Sequence, residues 1–220
     1  MHSVRYHLLP PVFYQGEIIK RLSAEELILF ESEIAELFNQ GKIKAPVHLY
    51  SGNEREIIEI FERVQSNDWV FCSWRSHYQC LLKGVPVIRL RKAIIDGRSI
   101  SLTFPDYRVY SSAIVGGHIP IAVGVALDIK RSGGEESVWC FIGDMTSETG
   151  IAQTSMRYSL MHNLPITFVI EDNALSVLTE TREVWASSRL RYEETRQANV
   201  IAYKYKNSYP HAGAGKRVQF

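Results

Sequence analysis

The sequence predicts an α/β fold in which a parallel sheet is flanked by helices. Two apolar runs, residues 138–142 and 166–170, have the length and composition of buried strands, and a helix-like segment, residues 149–161, separates them. This strand–helix–strand order is typical of parallel sheets. The chain has 220 residues, 45% of them hydrophobic, so it can bury a substantial core and corresponds best to one domain.

Two helices are expected near the start of the chain. Residues 22–40 have a helical apolar stripe, Ser23 and Glu26 can form a capping box, and Gly41 follows the last turn. Residues 54–65 show the same apolar spacing and form the second predicted helix. Residues 1–21 precede these elements, and we treat them as an N-terminal extension.

The middle of the chain alternates between clear and unclear patterns. Residues 69–74 resemble a strand, and residues 76–83 a short helix that stops at Gly84. Residues 85–112 have no clean period, and we leave them unassigned. Residues 116–131 form a helical pattern rich in small residues, which indicates close approach by another backbone.

Beyond the strand–helix–strand unit, residues 180–199 are charged and weakly periodic, which favours a surface segment. Residues 200–205 are a further strand candidate. We therefore expect one domain over residues 1–220.

Composition excludes several functional classes. Twenty-five basic residues face twenty-four acidic ones, so the formal charge of +1 leaves no basic stripe for nucleic acid. Cys72, Cys80 and Cys140 are odd in number and widely spaced, which suits a reducing cytoplasm. No stretch has the length and hydrophobicity of a membrane span or a signal peptide. We expect a soluble, cytoplasmic protein without a membrane partner.

Polar residues follow the two predicted strands directly. Gly143 and Asp144 come after the first, and Glu171, Asp172 and Asn173 after the second. In open parallel sheets, ligands bind beyond the carboxyl ends of the strands. Oxygen donors suit Mg²⁺, which takes one or two side chains and completes its shell with phosphates. The alternative is that Asp144 only caps a helix and Asn173 only makes a turn.

The two polar clusters have a characteristic spacing. Residues 146–171, twenty-six in number, separate their halves. The pattern resembles the thiamine diphosphate motif, and the chain is similar to the alpha subunits of 2-oxoacid and acetoin dehydrogenases over about residues 22–181. Four further blocks carry the resemblance, at residues 47–52, 74–77, 114–116 and 119–120.

The resemblance implies a thiamine diphosphate-binding fold, limited to the diphosphate-binding domain, and an Mg²⁺ ion. Asp144 and Asn173 would bind the metal through their side chains and Leu175 through its carbonyl oxygen. Trp74 and Arg75 occupy the positions of the family's tyrosine and arginine, which hold the diphosphate. An arginine fork suits phosphate oxygens.

Further site residues follow from the resemblance by position. Val115 matches a residue whose backbone meets the aminopyrimidine, although core packing explains a valine nearly as well. Met145 and Thr146 continue the motif along the cofactor. His48 and His211 match catalytic histidines of the family.

Two other histidines have no assigned role. We expect His77 and His118 to be unconnected surface or core residues.

The chain departs from the family at three points. Met145 replaces a glycine and crowds the turn that approaches the diphosphate. Asp172 replaces an asparagine, and its charge could repel the diphosphate unless a cation offsets it. Residues 182–220 form a C-terminal segment shorter than in the large dehydrogenases. The alternative to an enzyme subunit is therefore a non-catalytic, structural relative that has lost cofactor binding.

The resemblance also implies a reaction and partners. The substrate would be a 2-oxo acid, decarboxylated oxidatively, or an acyloin. A beta-type subunit would carry the pyrimidine-binding domain and its glutamate in an alpha2beta2 assembly, and a lipoyl acyltransferase is a further candidate partner. A nicotinamide oxidoreductase is disfavoured, because no G-x-G-x-x-G pattern follows a strand.

Overall fold

The computed structural model describes residues 13–14, 17–18 and 22–215. The strands among them are β1 Phe13–Tyr14, β2 Glu17–Ile18, β3 Trp69–Cys72, β4 Thr103–Phe104, β5 Val109–Ser111, β6 Val138–Gly143, β7 Ile166–Asp172, β8 Leu175–Ser176, β9 Thr179–Glu180 and β10 Val200–Lys204. The α-helices among them are α1 Ala24–Asn39, α2 Glu54–Phe61, α3 His77–Leu82, α4 Val87–Ala93, α5 His118–Ser132, α6 Asp144–Ser147, α7 Gly150–Met161, α8 Thr181–Val184 and α9 Arg191–Glu194.

A six-stranded sheet in the order β10-β7-β6-β3-β5-β4 forms the centre of the fold. Its strands pair in parallel, except that the edge strand β4 is antiparallel to β5. The α/β fold class is therefore confirmed. The pairs β1–β2 and β8–β9 are separate two-stranded ribbons.

Helices cover both faces of the sheet. Along β6, Trp139 and Phe141 pack into the cluster formed with α1 to α4, while Val138, Cys140 and Ile142 pack into the cluster formed with α5 and α7. Successive side chains of a strand point to opposite faces, so a strand buried on both faces must be apolar throughout. This is why residues 138–142 read as a continuous apolar run.

The predicted helices exist, with small shifts at their ends. The first is α1, and Ser23 and Glu26 form the expected capping box, with Glu26 N donating to Ser23 Oγ at 3.2 Å. The helix predicted over residues 54–65 ends at Phe61, and the following turn closes on Asp68, whose carboxylate accepts from Gln65 N at 2.9 Å. The helix predicted over residues 76–83 is α3.

The segment over residues 85–112 contains real but short elements. It holds α4, a π-helical turn at Ile94–Arg98, a 3₁₀ turn at Pro105–Tyr107, and the strands β4 and β5. None is long enough to show a repeating pattern.

The close backbone approach expected at residues 116–131 is not found at Gly116 or Gly124, whereas a Cβ atom at Gly117 would lie 3.3 Å from the backbone oxygen of Ile114. A Cβ atom at Gly116 would lie 3.0 Å from the Ile151 side chain on α7, so the neighbour is a side chain. No atom lies within 4 Å of a Cβ built at Gly124, at least among the described residues.

The remaining expectations concern the C-terminal segment, the N-terminal extension, membrane spans and the cysteines. The segment 180–199 contains α8 and α9, and the strand predicted over residues 200–205 is β10. Most of the extension 1–21 lies outside the described residues, and the single domain over residues 1–220 stays a prediction. None of the helices in the described part is long and apolar enough to cross a membrane. All three cysteines are buried and unpaired.

Candidate functional site

The carboxyl ends of four neighbouring strands, β3, β6, β7 and β10, meet at one edge of the sheet. A cavity of about 310 Å³ opens there, where an α/β sheet is expected to bind its ligand. Its walls include eight predicted site residues, which are Trp74, Arg75, Asp144, Met145, Thr146, Asn173, Leu175 and His211. Val115 and His48 do not line it.

Asp144 is the most buried acid of the cavity wall. It begins α6 directly after β6 and is 1% exposed, and its Oδ2 atom has no hydrogen-bond partner among the described residues. Burial raises the pKa of Asp144 to about 6. An unpaired buried carboxylate is costly, and a bound cation would remove that cost.

Asn173 lies in the turn between β7 and β8, Leu175 is the first residue of β8, and both line the cavity. Asn173 Oδ1 accepts from Leu175 N at 3.2 Å, and the intervening Ala174 has a left-handed backbone with φ of 63°. An amide oxygen has two lone pairs, so Asn173 Oδ1 retains one for a metal. Together with Asp144, this turn supplies the hard oxygen donors that suit Mg²⁺.

Trp74 and Arg75 follow β3, which ends at Cys72 rather than at residue 74. The shorter strand places both side chains in the cavity wall. The buried indole Nε1 of Trp74 lacks a partner among the described residues. Arg75 Nε donates to Leu49 O at 3.0 Å, and its guanidinium lies 5.8 Å from the Tyr50 ring centre. Both residues line the cavity, and N–H donors in a cavity wall suit an anionic ligand.

A surface ion pair is the alternative explanation for an arginine at position 75, and the described residues do not form one with it. None of the salt bridges between described residues includes it. Arg75 is anchored by a backbone carbonyl instead, and its charge acts on the neighbouring Glu171 carboxylate and Tyr205 hydroxyl.

Met145 and Thr146 form the first turn of α6. The Met145 sulfur accepts from Trp185 Nε1 at 3.2 Å, so this side chain contacts the C-terminal segment as well as the cavity. Thr146 is 7% exposed, and its carbonyl oxygen accepts from Thr149 Oγ1 at 2.6 Å. This bond closes the turn between α6 and α7.

The charge of Asp172 is offset by a cation that the sequence did not indicate. Arg182 Nη2 lies 2.8 Å from Asp172 Oδ2, and Tyr192 OH donates to the same oxygen at 2.5 Å. Burial opposes ionisation, but these hydrogen bonds hold the pKa of Asp172 below its usual value. Asp172 is the last residue of β7 and does not line the cavity.

His48 and His211 lie side by side, with ring centres 4.7 Å apart. His48 is 9% exposed, and burial lowers its pKa to about 4 although it bonds the His211 carbonyl. Burial also lowers the pKa of His211. The Trp74 ring lies 5.8 Å from His48 and 6.1 Å from His211. Both imidazoles are therefore neutral near pH 7 at one end of the cavity.

Glu171 is a cavity residue that the sequence reasoning missed as a site residue. It is 6% exposed, and burial raises its pKa to about 7. Tyr203 OH donates to Oε1 at 2.5 Å and Tyr50 OH to Oε2 at 2.9 Å. Its place immediately before the second half of the motif was the available signal.

Three other residues that the sequence singled out can be located in the structure. Val115 is 55% exposed, so core packing does not explain it, and its contact with an aminopyrimidine stays a prediction. His77 is buried between Glu31 and Ser99, at 3.0 and 2.9 Å. His118 is buried with Nε2 3.0 Å from Phe141 O. His77 and His118 are core histidines.

A preformed cluster of metal ligands is absent from residues 22–215: no group of three His, Cys, Asp or Glu side chains there could hold an ion. The donor set at this cavity is different, because it combines one carboxylate with an amide and a backbone carbonyl. Such a set relies on a phosphate ligand to complete the shell of Mg²⁺.

Several known proteins have sequences similar to this chain. The sequence model of the dehydrogenase E1 component matches residues 24–200. The alpha subunit of acetoin:2,6-dichlorophenolindophenol oxidoreductase from Cupriavidus necator is 30% identical over 160 residues, covering 68% of this chain and 48% of the relative. The Bacillus subtilis protein of the same name is 28% identical with the same coverage.

A third relative is the pyruvate dehydrogenase E1 component subunit alpha of Porphyra purpurea. It is 28% identical over 173 residues, covering 70% of this chain and 50% of the relative. The chain spans about half the length of the relatives it matches. The family match spans most of the described residues and includes Trp74, Arg75, Asp144 and Asn173. The chain belongs to the dehydrogenase E1 component family.

Proposed function

We propose that this chain is the alpha subunit of a thiamine diphosphate- and Mg²⁺-dependent enzyme that acts on a 2-oxo acid or an acyloin. One observation carries the proposal. The Oδ2 atom of Asp144, which has no partner among the described residues, shares a cavity with the unpaired indole donor of Trp74 and with Arg75. A diphosphate with its metal ion would supply a cation for Asp144 and phosphate oxygens for the N–H donors of Trp74 and Arg75.

The metal part of the proposal assigns Asp144, Asn173 and the Leu175 carbonyl as ligands. All three residues line the cavity at the ends of β6 and β7, which are adjacent in the sheet. Mg²⁺ would turn the cost of burying the Asp144 carboxylate into a favourable contact.

The diphosphate part assigns Arg75 and Trp74 as donors. Arg75 would supply a charge-assisted contact and Trp74 a single N–H, where the family has a tyrosine hydroxyl. The first turn of α6, at Met145 and Thr146, would lie along the cofactor. The Met145 side chain is held by Trp185, which supports the view that it forms a wall and does not close the cavity.

When bound, thiamine diphosphate supplies a carbanion that adds to a carbonyl carbon and stores electrons after bond cleavage. The chain's own contribution to that chemistry would be two neutral histidines. His48 Nδ1 donates to the His211 carbonyl, so its Nε2 keeps a lone pair that can take a proton. His211 lines the cavity and would contact the reacting atoms.

The assembly part assigns a beta-type subunit as partner. The relatives' names describe alpha subunits, which supports a second type of subunit, and that partner would carry the glutamate that ionises the cofactor. Exposed apolar side chains support such an interface: Ile114 and Met161 are 72% and 70% exposed, and Val115, Ile121 and Ile151 are at least 45% exposed. Patches of this kind mark interaction sites.

The relatives' names represent the two proposed substrate classes, acetoin and pyruvate. The test is to purify the chain alone and co-expressed with the product of the neighbouring reading frame. Each preparation is assayed with pyruvate, branched 2-oxo acids and acetoin, using an artificial electron acceptor, with and without a lipoyl acyltransferase domain.

The proposal expects turnover of one substrate class by the pair and none by the chain alone. Robust turnover by the lone chain would contradict the two-subunit assignment. No thiamine diphosphate binding by either preparation would favour the alternative, a structural relative without cofactor. The observation behind that alternative is Met145 in place of glycine, since Arg182 already offsets Asp172.

A further inference from the structure

We propose that Arg182 is a positioning residue that holds the Asn173–Leu175 turn in its metal-binding shape by balancing the buried charge of Asp172. The inference rests on the proposed function, because it assigns a role to the turn that carries two of the three metal ligands. Arg182 lies on α8, outside the cavity wall.

The contact between Arg182 and Asp172 has two parts. Nη2 lies 2.8 Å from Oδ2, and Nη1 lies 3.5 Å from Oδ1. The Asp172 side chain is 1% exposed and that of Arg182 is 23% exposed. A pair this buried is screened little by solvent, and removing one partner leaves an uncompensated charge.

Asp172 is bonded directly to the Asn173–Leu175 turn. Its Oδ1 atom accepts from Ala174 N at 2.8 Å. On the other side, Thr181 N, at the start of α8, donates to Ala174 O at 3.0 Å. The Ala174 N–H is therefore bonded to Asp172, and the Ala174 carbonyl is bonded to Thr181, the residue that precedes Arg182. These bonds offset the strain of the left-handed φ of 63° at this non-glycine residue.

The surrounding charges are balanced only with Arg182 present. Arg182 Nη2 also lies 2.8 Å from Glu193 Oε2, and Lys204 Nζ lies 2.5 Å from Glu193 Oε1. Two carboxylates thus face two cations. Without Arg182, Asp172 would keep only the neutral donors Tyr192 OH and Ala174 N.

An unbalanced carboxylate at this position would affect the cofactor in two ways. It would repel the diphosphate, and it would be free to turn toward the metal or the solvent. Either movement breaks the bond to Ala174 N and displaces Leu175. Arg182 prevents both, so Asp172 can replace the family's asparagine without the penalty that the sequence alone predicts.

Four variants separate charge balance from a simple structural role. Arg182→Gln removes the charge, and Arg182→Lys keeps it. The double variant Asp172→Asn with Arg182→Gln removes both charges and retains an oxygen that can accept from Ala174 N. Lys204→Gln is the matched control, because it removes a cation whose side chain bonds Glu193 and forms no ion pair with Asp172.

The first measurement needs no cofactor. Amide hydrogen exchange at Ala174 is followed by NMR in each folded variant. Arg182→Gln should exchange at least about tenfold faster than the parent, while the double variant, Arg182→Lys and Lys204→Gln should stay within about threefold. An unchanged rate in Arg182→Gln, or a double variant as fast as Arg182→Gln, would overturn the proposal.

The second measurement is the dissociation constant of thiamine diphosphate with Mg²⁺, by calorimetry on the chain with its co-expressed partner. Arg182→Gln should weaken binding about tenfold or more, and the double variant should restore it to within about threefold. Equal weakening in both variants would contradict charge balance. A parent that does not bind would overturn the proposed function instead, while the exchange data would still test the hold of Arg182 on the turn.

Discussion

The ring nitrogen Nδ1 of His48 lies 2.5 Å from the carbonyl oxygen of His211. A carbonyl can only accept, so Nδ1 carries the proton and Nε2 has the lone pair. The bond links the start of the fold to its last described segment. It also brings the two predicted catalytic histidines together, although they are 163 positions apart.

Burial of His48 should make stability depend on pH. Its pKa is about 4, against 6.5 for an unperturbed histidine, so the unfolded chain binds a proton that the folded chain does not between those values. The free energy of unfolding should therefore fall as the pH drops from about 6.5 to about 4.

The variant His48→Gln should remove about 2 to 3 kcal/mol of that fall. The measurement is urea unfolding at several pH values from 7 to 4 for both proteins. Parallel curves would show that His48 is not held neutral.

Asp144→Asn should stabilise the protein in the absence of metal. Burial raises the pKa of Asp144 from 3.8 to about 6, so the parent loses stability as the pH rises through that range. The variant lacks this penalty. It should be more stable by about 1 to 3 kcal/mol at pH 8 and nearly equal to the parent at pH 4.

The same variant should lose Mg²⁺-dependent cofactor binding. A stability gain accompanied by a loss of binding identifies a residue retained for a ligand. If Asp144→Asn instead destabilises the protein at pH 8, Asp144 is a structural cap.

Trp74→Phe should weaken thiamine diphosphate binding about ten- to hundredfold, the effect of one lost charge-assisted hydrogen bond. Stability should not fall, because the lost indole N–H has no partner among residues 22–215. Trp139→Phe is the control, since Trp139 Nε1 donates to Asp68 at 3.0 Å. That control should lose about 1.5 to 3 kcal/mol of stability and no affinity. If calorimetry shows unchanged affinity for Trp74→Phe while thermal melting shows a loss of stability, Trp74 does not hold the diphosphate.

Arg75→Ala should weaken binding by about ten- to hundredfold as well. Arg75→Lys should recover only part of this loss, because lysine lacks the fork and cannot reproduce the Nε bond to Leu49 O. Titration calorimetry gives the affinities and thermal melting gives the stabilities. A sharp fall in melting temperature without cofactor would make Arg75 a structural residue.

Much of the fold could be predicted because its central strands are apolar on both faces. The prediction ended β7 at residue 170 because Glu171 and Asp172 are charged. Both nevertheless continue the strand, since Tyr50 and Tyr203 satisfy one carboxylate and Arg182 the other. Such distant partners leave no periodic signal in a single sequence.

Part of the candidate site could also be predicted from the sequence. Asp144 and Asn173 stand out because parallel strands bring their carboxyl ends to one edge. Arg182 does not stand out, because a lone arginine in a charged surface segment has no local pattern. The sequence shows that Asp172 departs from the motif, but only the folded structure shows that Arg182 compensates its charge.

The central claim is that this cavity binds thiamine diphosphate through a metal held by Asp144. It is tested most directly by calorimetric titration of the chain, purified with its co-expressed partner, with thiamine diphosphate in Mg²⁺ or in EDTA. We predict saturable binding in Mg²⁺, none in EDTA, and none by Asp144→Ala in either buffer. Absence of binding by the parent, or binding indifferent to both Mg²⁺ and Asp144, would contradict the account.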